Sequence, residues 1–469
     1  MALPMKDIVV VLPGITGSRL QKAGKDVWSI SAGGIGRALA TFGGNIRQLA
    51  MDGDDPDKEY LDDGIREAGL LPDVHLLPGV WRIDGYGKVC DTLLRQFELV
   101  EGANFVRFAY DWRRDNRAHA KRLARESCQW LRAWRESSGA ADAKLILVGH
   151  SMGGLLARYF LECCEGWRDT RMLITFGTPY SGSLNAVDSL VNGWRKSFGP
   201  VKLLDLTKTL RTFPAMYQLL PIYQCIDRGD GTLRRLGETG PLYGMDAGLL
   251  ANALRFHQEI EEAVARHRAD DYEGTGGYDI RAVIGEFQAT SQSAVVDGNT
   301  ARMLPTRAAT DEGGDGTVPR LSSVPKELFE SQRNVMYAAC RHASLQNADP
   351  VLTHVHGLLR GTPADPGQFF AGLGRLGLGI GDLHDEQTPI AYQVRCDVPG
   401  TAVRGTVLDL GTSTIAASVG IDEVGEDWTL AEIPPLPAGD YRLTVTSTDA
   451  APVSDIFTVL GPATITPSG

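Results

Sequence analysis

The sequence predicts an α/β fold in which a central parallel sheet is clothed by helices, followed by a small all-β domain. Three observations lead there. Up to about residue 340, short apolar runs alternate with amphipathic stretches of helical period, as in a sheet buried on both faces. One run, residues 144–148 (KLILV), leads directly into Gly149-His150-Ser151-Met152-Gly153 and then into a helical stretch over 154–160. Beyond residue 390 the helical stretches cease, and six short Val- and Thr-rich runs divided by Gly, Pro and Asp follow one another.

Taken in order, residues 8–12 (IVVVL) read as the first central strand, and Pro13-Gly14 stops it. Residues 25–85 are irregular; their acidic stretch 52–57 lacks the ligand spacing of a calcium loop and reads as a solvated loop. A helix is expected over 86–97, a strand over 105–109 ending in Tyr110-Asp111-Trp112-Arg113, and a second helix over 118–135. After the strand and helix around Ser151 comes a strand over 171–176, ending in Gly177-Thr178-Pro179-Tyr180-Ser181-Gly182-Ser183. From about 185 to 275 the alternation breaks down. Apolar residues such as Leu206, Leu210, Phe213, Met216 and Leu219 crowd this stretch, which reads as a cap or lid inserted over the carboxyl ends of the strands. Strands resume at 279–284 and 334–339 and complete a domain spanning 1–365. Residues 366–389 read as a linker, 390–462 as a small β-sandwich of immunoglobulin-like kind, and 463–469 as a tail.

Composition narrows the function. The 469 residues are 43% hydrophobic and 22% charged, ordinary for a globular chain, with a net charge of −11. That acidic balance argues against nucleic acid as a partner, since phosphate binding needs clustered positive charge. Seven scattered cysteines, odd in number and without metal-ligand spacing, read as reduced thiols. Residues 1–7 run into the first strand without the features of a signal peptide, and no apolar run nears the ~18 residues of a bilayer span. A soluble, cytoplasmic protein is expected. Nothing in the chain requires a cofactor or a metal.

The chemistry starts at Ser151. A serine in G-x-S-x-G between a strand and a helix sits on a strained turn, its hydroxyl raised above the helix N-terminus, where unpaired N–H groups favour negative charge. A serine nucleophile needs a base and a group to orient that base, and in this topology the chain order is serine, acid, histidine. Of nine histidines only His342, His354, His356 and His384 lie late enough. His384 falls in the linker and His354 and His356 on a helix, whereas His342 lies in the loop just after the last strand. For the acid, Asp315 in Gly313-Gly314-Asp315-Gly316-Thr317-Val318 occupies a small-residue turn where a carboxylate collects backbone N–H donors and stays ionised; Asp311 and Glu312 are its rivals. The loop Pro13-Gly14-Ile15-Thr16-Gly17-Ser18 stands where a hydrolase sheet supplies an oxyanion-hole N–H, and equally reads as a plain turn.

Five segments resemble the lecithin:cholesterol acyltransferases and related phospholipases, in the same order: the 13–18 loop, Tyr110-Asp111-Trp112-Arg113, the 149–153 turn, the 177–183 loop, and Gly314-Asp315-Gly316-Thr317-Val318. The resemblance covers roughly residues 7–360. It implies an α/β-hydrolase fold with Ser151, Asp315 and His342 as a triad. It also implies backbone N–H groups of Met152 and of Ile15 (or Thr16) as the oxyanion hole. The activity implied is ping-pong acyl transfer from a lipid ester. The apolar residues of the 185–275 stretch read either as a permanent second layer or as a cap that exposes apolar surface to a lipid aggregate in a transient membrane contact. The chain departs from the family's secreted members in lacking a signal peptide and a disulfide-paired lid and in adding the C-terminal β domain, so a sterol acceptor and a lipoprotein partner are not implied. Three other readings stand beside it: a general carboxylesterase, a catalytically silent hydrolase fold used for binding, and an effector whose specificity resides in the β domain. Protein partners are unspecified by any motif, and on the family reading residues 1–380 alone are expected to be fully active.

Overall fold

A computed structural model describes residues 2–28, 48–71, 75–77, 81–198, 201–271, 277–329, 334–361 and 374–461. Its centre is a six-stranded sheet: β1 (Ile8–Leu12), β2 (Phe105–Arg107), β3 (Leu145–His150), β4 (Thr170–Phe176), β5 (Asp279–Gly285) and β6 (Val335–Ala338). The spatial order is β6-β5-β4-β3-β1-β2 and every pairing is parallel. The chain therefore steps from β1 to one side, returns, and builds outward on the other. This reversal places a crevice between the carboxyl ends of β1 and β3, where ligands bind in open α/β sheets.

Burial explains why these runs are continuous apolar stretches. In β1, Ile8, Val10 and Leu12 face one core with Leu145, Leu147 and Leu173, while Val9 and Val11 face the other with Ile146, Val148 and Ile174. Helices α1 (Gly87–Gln96), α2 (Asn116–Ser138), α3 (Met152–Cys163), α4 (Leu184–Val191), α5 (Ala247–Arg266) and α6 (Asp349–Arg360) surround the sheet. The first core is covered by α2, α3 and α5, the second by α1 and α6. Asp115 starts α2 by accepting from the Arg117 N–H, and Gly139, at φ 75°, ends it. This is the α/β-hydrolase arrangement expected from the sequence.

Within the stretch read as a cap, α4, two short helices (Thr207–Leu210 and Pro214–Gln218) and a hairpin (Arg195–Phe198, Val201–Asp205) interrupt the alternation. Here the structure differs from expectation at one helix. Helix α5 lies inside the 185–275 stretch yet packs on α3 as part of the main helical layer, burying Leu250, Ala253, Phe256, His257 and Ile260 at helical spacing. Leu206, Leu210, Phe213, Met216 and Leu219 all face inward. The acidic stretch is also anchored: Asp54 takes Nε–H of Arg114 at 3.0 Å and the backbone N–H of Asp115 at 2.7 Å.

The C-terminal part is a two-sheet sandwich of β7 (Gly374–Ile380), β8 (Leu383–Asp385), β9 (Ile390–Cys396), β10 (Thr401–Asp409), β11 (Thr414–Val424), β12 (Thr429–Ile433), β13 (Gly439–Thr446), β14 (Ala450–Ala451) and β15 (Val453–Leu460). One sheet has the order β12-β9-β7-β14, the other β8-β15-β13-β10-β11. They enclose one apolar cluster that includes Leu378, Tyr392, Val407, Leu443 and Phe457. Residues read as linker thus supply two strands. Gly377 serves close approach: a Cβ there would stand 2.7 Å from the Phe287 carbonyl oxygen. The other linker residues 366–373 and the tail 463–469 lie outside the described residues.

Candidate active site

Ser151 ends β3 and begins α3 with φ 52° and ψ −123°, a backbone state that side chains other than glycine rarely hold. Two supports fix it there. Its N–H donates to the Phe176 carbonyl at 2.9 Å. The turn also folds back onto β1 so tightly that a Cβ on Gly153 would meet the Leu12 carbonyl oxygen at 2.4 Å, so only glycine fits. The Ser151 side chain does not cap α3; its Oγ lies 2.9 Å from Nε2 of His342.

The structure brings all three residues read from the sequence together. Nδ1 of His342 lies 2.7 Å from Oδ2 of Asp315, and the His342 N–H donates to the Asp315 carbonyl at 2.9 Å, tying the two loops through main chain as well. The other Asp315 oxygen accepts from the N–H groups of Thr317 at 2.9 Å and Val318 at 2.7 Å. Gly177, at φ 54°, runs so close that a Cβ would stand 2.7 Å from Asp315 Oδ2. The rivals are occupied elsewhere: Asp311 accepts from Gln292 and Gly313, and Glu312 pairs with Arg307. His354 is buried in α6, with its pKa lowered by that burial. His356 meets Gln96, and His384 meets the Gly381 carbonyl.

Ile15 lines a cavity of about 30 Å³ together with Ser151, Pro179, Met216 and Leu219. No described turn or loop hydrogen bond uses the Ile15 N–H, whereas that of the neighbouring Gly14 donates to the Tyr86 hydroxyl at 2.7 Å. Met152 supplies the first N–H of α3, one of the helix-end donors without an intrahelical acceptor. The space beside Ser151 is small, and Ser151 itself is buried. A larger cavity, about 350 Å³, lies among Leu155, Tyr180, His257, Ile260, Val264 and Lys326 and does not include Ser151. Between the two run bonded main-chain segments, with the Ser183 N–H on Leu219 and the Ile222 N–H on Ser181.

Two groups escaped the sequence reading. His150 approaches the Tyr86 hydroxyl (2.8 Å) and the His342 carbonyl (3.1 Å), and burial pushes its pKa down to about 3. It is a neutral strut between the 13–18 loop and the His342 turn. Gln288, buried after β5, donates its N–H to the Gly314 carbonyl at 3.0 Å, next to Asp315. The signal for Gln288 was its place just after an apolar strand, where Glu286, Gln288 and Thr290 alternate with Phe287 and Ala289. Among the described residues no group of three or more His, Cys, Asp and Glu could hold a metal ion.

A profile of the family described as lecithin:cholesterol acyltransferase matches residues 82–236. The chain resembles that family. The matched stretch of this lecithin:cholesterol acyltransferase-like chain includes Tyr110-Asp111-Trp112-Arg113, Ser151 and the first part of the cap. No curated protein sequence matches the chain. Among solved structures, the Tle4–Tli4 complex is similar at 15% identity and a TM-score of 0.46, covering 77% of this chain and 98% of that one. A mature Bacillus licheniformis lipase, BlEst2, is similar at 13% identity and a TM-score of 0.32, covering 76% and 94%. An immunoglobulin-like β-sandwich protein of Bacteroides vulgatus has 20% identity and a TM-score of 0.13 over 14% of this chain and 73% of that one. Among the described residues no helix is long and apolar enough to cross a membrane.

Proposed function

We propose that the protein is a serine acyl hydrolase of lipid esters. The observation that carries this reading is the unbroken line Ser151 Oγ, His342, Asp315, at 2.9 and 2.7 Å, starting from a serine held at positive φ. In this mechanism Ser151 Oγ attacks the ester carbonyl while His342 Nε2 takes its proton. The N–H groups of Met152 and Ile15 receive the developing oxyanion. His342 then protonates the leaving alkoxide, and water, activated by the same imidazole, releases the acid from the acyl-enzyme. Asp315 holds the imidazole in the tautomer that the attack requires. The family likeness supports a lipid ester as substrate, reached when the cap opens, with a transient lipid-surface contact. Seven free thiols suit a reducing compartment such as the cytoplasm.

Ser151→Ala is expected to lower ester hydrolysis by several orders of magnitude, leaving on the order of 10³–10⁴-fold catalysis over water. A fluorophosphonate is expected to label the parent at Ser151. Undiminished turnover in the variant, or labelling elsewhere, would overturn the proposal. A second reading, a carboxylesterase of small soluble esters, draws on the small cavity beside Ser151 and the inward-facing cap residues. Following the rate on a medium-chain ester through its critical micelle concentration separates the two. A rise at that point marks the lipid enzyme; smooth saturation with best activity on acetyl esters marks the carboxylesterase.

A further inference from the structure

The sandwich does not merely follow the hydrolase; it grips the two turns that hold His342 and Asp315. Arg341, the residue before His342, directs Nε–H at Asp455 Oδ2 of β15 (2.8 Å) and an Nη1–H at the Leu378 carbonyl of β7. The same guanidinium lies over Gly316, the residue after Asp315, within 3.3 Å of where a Cβ would stand. Asp455 is among the few buried polar residues of the sandwich, and burying a carboxylate is costly unless it is paired.

A second contact serves the acid turn. The Gln288 side chain meets β7 as another strand would: Nε2–H donates to the Leu376 carbonyl at 3.1 Å and Oε1 accepts the Leu378 N–H at 3.0 Å. Its own N–H holds the Gly314 carbonyl. The preceding residue, Phe287, sits at φ 67°, a strained state for a bulky side chain that persists only where surroundings enforce it. The surroundings come from the sandwich: Arg395 donates to the Phe287 carbonyl at 3.2 Å, and its guanidinium lies 4.3 Å from the ring centroid.

We propose that the C-terminal sandwich is a positioning element of the active site, with Asp455 and strand β7 holding the His342 and Asp315 turns through Arg341 and Gln288. This rests on the serine-hydrolase reading and adds a role for the β domain. It also reverses the expectation that residues 1–380 alone are fully active, because that chain keeps β7 but loses Asp455 and most of the sheets that support it.

The test uses the full chain, p-nitrophenyl octanoate, and active sites counted by fluorophosphonate titration. Asp455→Asn, Arg341→Met and Gln288→Glu are each expected to lower kcat per titrated site by about tenfold or more, with KM changed less than about twofold, as when an interaction made only in the transition state is lost. Arg341→Lys recovers part of the loss. The double variant R341M/D455N is no worse than its worse single, since both act through one contact. Arg404→Met, on β10, which cuts an exposed side-chain bond to Ser418, leaves kcat within twofold. A merely structural role would lower melting temperature and the titrated fraction while each remaining site turns over at the parent rate; that result, or an equal loss in Arg404→Met, overturns the proposal. A parent that neither hydrolyses the ester nor takes up the phosphonate sinks the hydrolase reading and the positioning role with it.

Discussion

The two halves of the molecule bury different things. Under the parallel sheet's loops, charge is buried in quantity: Arg113 bonds Asp111 (2.6 Å) and Asp63 (2.8 Å), Arg117 bonds Asp115 (2.9 Å), and Arg158 bonds Glu162 (3.1 Å). The sandwich interior is a nearly pure apolar cluster, in which the buried carboxylates are Asp440 and Asp455. Asp440 is satisfied at home by the Thr458 hydroxyl at 2.8 Å, while Asp455 reaches across to Arg341. Apolar packing is tolerant of detail, whereas buried ion pairs demand their partners. The difference teaches that the sheet half spends buried charge on fixing loops relative to one another, and that the sandwich uses it where it meets those loops.

The hardest blow to that contrast is Arg113→Ala. It strands Asp111 and Asp63, and breaking a buried pair costs about 3–5 kcal/mol. Hydrogen exchange should show residues 48–67 and 110–119 losing protection while 390–461 keep theirs; uniform loss would break the comparison. Leu443→Ala in the sandwich core is expected to cost about 3 kcal/mol, with protection lost first in 374–461. Acidification should sharpen the contrast further. Burial pushes the pKa of His150 to about 3 and that of His257 to about 4. The unfolded chain binds protons at these sites near pH 6.5, where the folded chain does not. Their contribution is therefore intact above about 6.5 and is lost as pH falls toward 4, at about 1.4 kcal/mol per pH unit for each histidine. Both lie in the sheet half, so its exchange protection should fall first in a pH series. The smallest effect is a gain: Ser151→Gly relieves the positive φ and is expected to stabilise by about 1 kcal/mol while abolishing turnover, measured by chemical denaturation.

Much of this architecture was legible because it is local. The central strands are apolar runs bounded by turn residues, and the Ser151 turn declares itself within five residues. His342 and Asp315 could be picked out because the topology dictates where a base and an acid must follow a strand. What stayed hidden depends on distant partners. Gly377 looks like linker until the Phe287 carbonyl is seen against it, and helix α5 looks like part of the cap until it is seen packed on α3. The Arg341–Asp455 contact leaves one weak trace in the sequence, a lone carboxylate inside the apolar strand 453–460. Asp54 read as solvated because its partner, Arg114, lies 60 residues away.

The separation of Ser151 from His342, 191 residues along the chain, has a meaning in time. A ribosome adding about 5–20 residues per second needs about 10–40 s to travel from one to the other. Throughout that interval the nascent chain can fold its serine turn but has no imidazole beside it, and Asp455 emerges later still. On the proposed hydrolase reading, a growing polypeptide that has passed residue 151 but not residue 342 is silent toward esters, and one broken between 342 and 455 keeps the serine and the imidazole but not the Asp455 contact to Arg341.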